Sequence, residues 1–309
     1  MYQSVRDVFT DFTAQYEGAV PWMYLDFVGL VTVGVGNMID PIGSALAVKD
    51  QFVDESGNPP ADPDQALTDD WNAVHAFADQ QRNADQNHKL LAAFFQPPRT
   101  SLHMTDPYAL VLSHADGDEQ TLRNRFQDWD DPNSWPADAQ IAVLSMSYAM
   151  GPGFNFPNFV AACQAHDWKT AAGESHMSEA GNPGVAPRNV ADRVLLLNAQ
   201  FMADNNLGFD TLQYSVAGLG RITLVPIHNG STDQPGAPLV SWVQNRLIAL
   251  GYLDQAAIGN MGTFDQATQD AVTRLQSDYQ LATDGRVGLM TYAAAGSCIP
   301  ADQADNYTS

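Results

Sequence analysis

The chain has 309 residues, 45% of them hydrophobic, which is long and apolar enough for two cored domains and excludes wholesale disorder. Its 36 acidic residues against 14 basic ones leave a formal net charge of −22. That balance excludes nucleic-acid binding through clustered Lys and Arg on phosphate.

Met1-Tyr2-Gln3-Ser4-Val5-Arg6-Asp7 is not a basic start followed by an apolar run, so no signal peptide and synthesis in the cytoplasm are expected. No later stretch approaches the roughly 18 apolar residues of a membrane span. Val5, Val8, Phe9, Phe12 and Tyr16 fall on one helical face, and Gly18 and Pro21 stop that helix. The period then changes. Tyr24, Phe27, Leu30, Thr32, Val33 and Val35, with glycines at 29, 34 and 36, predict short strands joined by tight turns.

Residues 41–137 read as a long acidic insert, broken at Gly57-Asn58-Pro59-Pro60 and Gln96-Pro97-Pro98, with helices over 64–77, 86–95 and 118–129. Residues 139–150 are apolar nearly all round, which predicts a buried central helix ended by Gly151-Pro152-Gly153. Amphipathic helices follow over 157–166, 168–178 and 189–204. The Gly- and Pro-rich stretch 217–238 reads as a linker between a first domain, 1–216, and a second, 239–298, with 299–309 as a polar tail. The fold class expected is α+β, mostly α. Cys163 and Cys298 give no disulfide framework and read as free thiols. The seven histidines show no metal-ligand spacing, so neither a metal nor a cofactor is expected.

Hydrolysis of a glycosidic bond usually takes two carboxyl groups, one protonating the leaving oxygen and one activating water or attacking the sugar. A helix ending at Glu17 and a hairpin carrying Asp26 present such a pair, and Thr32 adds a hydroxyl suited to holding water. On spacing alone, a helix-end carboxylate, a turn residue and a strand former account for the same three positions.

Tyr16-Glu17-Gly18, Tyr24-Leu25-Asp26 and Gly29-Leu30-Val31-Thr32-Val33-Gly34-Val35-Gly36 together resemble the signature of phage-type lysozymes, glycoside hydrolase family 24. Asp26 stands nine residues after Glu17 and Thr32 six after Asp26, the family's intervals. The run 142–151, Phe156-Pro157-Asn158-Phe159, Trp168-Lys169-Thr170-Ala171-Ala172 and Arg188-Asn189-Val190-Ala191-Asp192-Arg193-Val194 are similar to that family's C-terminal lobe. The resemblance covers about residues 1–40 and 138–205. It implies a two-lobed lysozyme-like domain and inverting cleavage of the β-1,4 bond between N-acetylmuramic acid and N-acetylglucosamine. Glu17 would be the general acid, with Asp26 and Thr32 handling water. Asn37 departs from the family, which has His after Gly-x-Gly. The family's supporting arginine falls on Arg188 or Arg193.

Within 239–298, Val243-Gln244, Leu250-Gly251-Tyr252, Gly262-Thr263-Phe264, Thr268, Ala271-Val272, Leu275-Gln276, Asp284-Gly285, Gly288 and Thr291 resemble the peptidoglycan-binding domain 1 family, a three-helix module. That resemblance implies peptidoglycan as partner, with Tyr252 and Arg286 as exposed candidates for contacting it. Two other readings stay open: a lytic transglycosylase, which needs only the Glu, and a non-catalytic wall-binding protein. Phage endolysins and antibacterial effectors both use this fold without a signal peptide and act on the wall in the periplasm or outside the cell. An effector would add secretion machinery and a cognate immunity protein as partners.

Overall fold

The computed structural model describes residues 1–26, 29–84, 100–180, 183–218 and 222–309. The chain is mostly helical with two small antiparallel sheets. It divides into two compact units, residues 17–114 and residues 1–16 with 115–309.

In the unit 17–114, β1 (Val20–Leu25), β2 (Val31–Gly34) and β3 (Asn37–Met38) form an antiparallel meander in the order β1-β2-β3. Tyr24 pairs with Thr32, Leu25 with Val31, and Thr32 with Met38. The predicted hairpin is therefore present, although Phe27 lies outside the described residues. Leu25, Val31, Val33 and Ile39 bury the other face against α2 (Ile42–Leu46), β4 (Phe52–Asp54), α3 (Pro63–Ala84) and β5 (Leu102–Met104). Much of the predicted insert is thus part of the hairpin's own core. Its helix at 64–77 is found within α3, and the helix expected at 86–95 lies outside the described residues. Sequence reading missed the sheet formed by β4 and β5. Two buried polar clasps hold this layer. Trp71 Nε1 donates to the Ile39 carbonyl at 3.0 Å, and the Asp70 carboxylate accepts from the Ser101 and Leu102 amides, each at 2.8 Å.

The other unit begins with α1 (Gln3–Glu17) up to Tyr16 and resumes within α4 (Val111–Arg125), the helix expected at 118–129. Its centre is α5 (Ala137–Met150), buried on nearly every side, as an apolar helix without a polar face must be. Gly151 ends it at φ +83°, a conformation that glycine adopts without Cβ strain. Helices α6 (Pro157–Gln164), α7 (Trp168–Glu174) and α8 (Ala186–Asp204) follow, with Trp129, Trp135 and Trp168 fully buried among them. Cys163 and Cys298 are both free.

Helices α9 (Leu239–Ala249), α10 (Gln266–Asp278) and α11 (Leu289–Ala295) are the three read from sequence. They belong to this same unit, because α11 packs on α8. The Tyr214 hydroxyl donates to the Ala293 carbonyl at 3.1 Å, and its ring lies where a side chain on Gly296 would stand. The expected linker 217–238 is tied in. Ile227 bridges Val287, Thr232 bridges Thr263, and Asp233 caps the start of α9 through the Val240 and Ser241 amides. The expected tail also folds: residues 304–308 form α12 (Ala304–Thr308), whose Thr308 carbonyl accepts from Arg193 and Gln280. Polar composition concealed this, since the main chain makes those contacts. No helix among the described residues is long and apolar enough to cross a membrane.

Candidate active site and C-terminal module

Glu17 is the last residue of α1 and is half-buried. The turn between β2 and β3 runs directly beneath it, and a Cβ built on Gly36 would stand 3.2 Å from Glu17 Oε2. Gly36 has φ +64°, so the turn needs glycine twice over, for its backbone and for the carboxylate above it. Gly36→Ala should therefore cost about 1–2 kcal/mol of stability from left-handed strain. It should also push the Glu17 carboxylate aside. Thermal melts and lysis rates of that variant would check both effects.

Asp26 follows β1, and its carboxylate accepts the Leu30 amide at 2.8 Å. The Asp26 amide in turn donates to the Leu30 carbonyl at 2.9 Å, closing the loop on itself. Thr32, in the central strand and 3% exposed, donates its hydroxyl to that same Leu30 carbonyl at 3.2 Å. One residue's backbone thus anchors both predicted water-handling residues. With its proton committed to Leu30, Thr32 offers only its acceptor lone pairs to a water.

Tyr24 joins this group and was not predicted to. Burial and the neighbouring Glu17 and Asp26 carboxylates push its phenol well above the ordinary tyrosine range, although a hydrogen bond with the Gly36 backbone opposes the shift. The signal for it was in the sequence: Tyr24 stands two residues before Asp26 in a strand pattern, and in the sheet it pairs directly with Thr32. Asn37 stands where the lysozyme resemblance has His. It is buried and donates to the Val35 carbonyl at 3.2 Å, a local role that holds the turn.

The two candidate arginines differ. Arg188 is buried on α8, donates to the Ser145 carbonyl at 3.0 Å, and lies over the Tyr16 ring at 5.5 Å from its centroid. Arg193 donates to the Thr308 carbonyl at 2.6 Å, and burial lowers its pKa. It holds the C-terminal helix. Among the described residues, no group of three or more His, Cys, Asp or Glu side chains is placed to hold a metal ion.

In the C-terminal helices, two buried glutamines grip two glycine turns in the same way. Gln244 accepts the Gly262 amide and donates to the Thr263 carbonyl and Thr268 hydroxyl. Gln276 accepts the Gly285 amide and donates to Asp284, the Arg286 carbonyl and Thr291. Residues 236–295 match the family model described as "Putative peptidoglycan binding domain". No curated protein matches the chain. The peptidoglycan-binding module associates this chain with the bacterial cell wall, and both glutamine clasps lie within the matched residues. Tyr252 of the module corrects the expectation of an exposed contact. It is 3% exposed, and its hydroxyl donates to Asp278 at the end of α10 at 2.6 Å. Arg286 is exposed as expected.

Proposed function

We propose that the chain is a peptidoglycan hydrolase, a muramidase that cleaves the β-1,4 bond between N-acetylmuramic acid and N-acetylglucosamine. The observation that carries this reading is the grouping of Glu17 over Gly36, Tyr24 beside both carboxylates, and Asp26 and Thr32 fixed on the Leu30 backbone. The peptidoglycan-binding module supplies the substrate class.

In this reading Glu17 gives its proton to the glycosidic oxygen as the C1–O bond breaks. A water held by Asp26 and the Thr32 oxygen attacks C1 from the opposite face, and its proton passes to Asp26. Pinning Asp26 and Thr32 to the loop keeps that water in line, so that positioning supplies part of the rate. The configuration at C1 inverts.

Digestion of purified peptidoglycan with the full chain tests the reading. Mass spectrometry of the soluble fragments should find reducing muramic ends that have gained one water, and early time points should show the inverted anomer. Anhydro ends would replace the assignment with a transglycosylase. Absence of any soluble fragment would leave a wall-binding protein without hydrolase activity.

A further inference from the structure

One pocket in the unit that contains the module is lined by residues from two parts of the chain. Its cavity is about 390 Å³, within the size range of small-ligand sites. Leu281, Val287, Leu289 and Met290 of the module line it, together with Pro187 in the first turn of α8. Leu289 and Met290 are 36% and 40% exposed, and they stand side by side at this site. None of the lining residues is aromatic.

Arg286 supplies the charge. Its backbone is fixed, since its carbonyl accepts from Gln276 at 2.8 Å and from Thr291 at 3.3 Å, and its amide donates to Asp284 at 2.9 Å. The Asp284 carboxylate is tied into the turn by that amide and by Gln276. The Arg286 guanidinium is exposed and makes no hydrogen bond among the described residues. The site therefore presents a rigidly based cation at the edge of a largely aliphatic pocket, beside the Asp284 carboxylate that also lines it and whose pKa the guanidinium helps to lower, on a chain of net charge −22.

We infer that this pocket binds a short peptide with small aliphatic side chains and a free carboxylate, the peptide stem of peptidoglycan rather than its glycan. A glycan would be expected to lie on exposed aromatic faces, and no aromatic residue lines this pocket. A stem peptide instead brings methyl groups for the aliphatic wall and a carboxylate for the forked guanidinium. The inference rests on the module's wall-binding role and goes beyond it by naming the part of the wall that is held. It also gives Pro187 of α8 a share in the ligand, so the module's pocket is incomplete without the preceding lobe.

The test uses the full chain. Calorimetric titration compares acetyl-L-Ala-D-isoGln-L-Lys-D-Ala bearing a free C-terminus, the same peptide as its C-terminal amide, and a tetramer of N-acetylglucosamine. Arg286→Met and Arg286→Lys are titrated alongside, with melting temperatures to confirm folding. The free acid should bind, and roughly tenfold more weakly both as the amide and to Arg286→Met, with Arg286→Lys between. Peptide affinity that ignores both changes would overturn the inference, as would no peptide binding by a protein that still sediments with intact peptidoglycan. Sugar binding that depends on Arg286 would overturn it too. Failure of the wild-type chain to sediment with peptidoglycan would instead remove the wall-binding role, an outcome the sedimentation arm reads separately.

Discussion

Glu17→Gln is expected to lower wall lysis by at least about 100-fold, the lower end of what a positioned general acid contributes. The substitution keeps the side chain's size and one acceptor oxygen, so the contact over Gly36 survives and the melting temperature should stay close to wild type. Sedimentation with intact peptidoglycan should also be unchanged, because that activity belongs to residues 236–295. The variant thus separates chemistry from attachment. Asp26→Asn should be nearly as damaging, since the amide still accepts the Leu30 N–H yet cannot take a proton from water. Tyr24→Phe should cost less, because the phenol neighbours both carboxylates and is itself no acid or base in the scheme. Turbidity clearance and reducing-end assays on the three variants would establish the ranking. Full lysis by Glu17→Gln would remove the proposed acid whatever the others do.

Much of this was legible in the sequence because strong periodicity and turn chemistry agree with burial. The helix read at 5–16 is α1, the apolar run at 139–150 is α5, and glycine stops at 18 and 151 fall where the backbone takes positive φ. The grouping of Glu17, Asp26 and Thr32 came from the resemblance to phage-type lysozymes, because on spacing alone a helix-end carboxylate, a turn residue and a strand former account for the same positions. What stayed hidden depends on distant partners. Nothing local in the polar stretch 299–309 says that Thr308 receives Arg193, or that Asp233 in a Gly- and Pro-rich stretch caps α9. Tyr252 shows the same limit in reverse. A tyrosine after Leu-Gly reads as available, and only the packed helices show its hydroxyl spent on Asp278.

Asp192→Asn is expected to stabilise the protein at pH 8 and to leave it unchanged at pH 4. Asp192 is fully buried on α8, and neither carboxylate oxygen makes a well-formed hydrogen bond among the described residues. Burial raises its pKa from 3.8 to about 7, against the smaller opposing pulls of the Arg188 guanidinium and the Ser145 hydroxyl. Between those two values the folded chain holds a proton that the unfolded chain has released, so stability falls as pH rises through the window. Above about pH 7 the loss is complete, on the order of 4 kcal/mol, since each tenfold gain in proton affinity on folding is worth roughly 1.4 kcal/mol. The amide has no proton to lose and carries no such slope. Asp138 also has its pKa raised by burial, to about 6, but it is shared by both proteins and cancels in the difference; Tyr16 and Tyr214 lie near Asp192 and, with pKa values raised above the ordinary tyrosine range, stay protonated across this window. Urea unfolding of the two proteins at pH 4, 6 and 8 would give that difference directly. A wild-type advantage that grows with pH would reverse the assignment, making the Arg188–Asp192 pair a net stabilising ion pair. Arg188 lies over Tyr16, the residue before Glu17. If the pair is held protonated and neutral at Asp192, the cation keeps its charge for the Tyr16 face and the Ser145 carbonyl. The end of α1 then rests, through the Tyr16 ring, on a cation that the buried Asp192 does not neutralise.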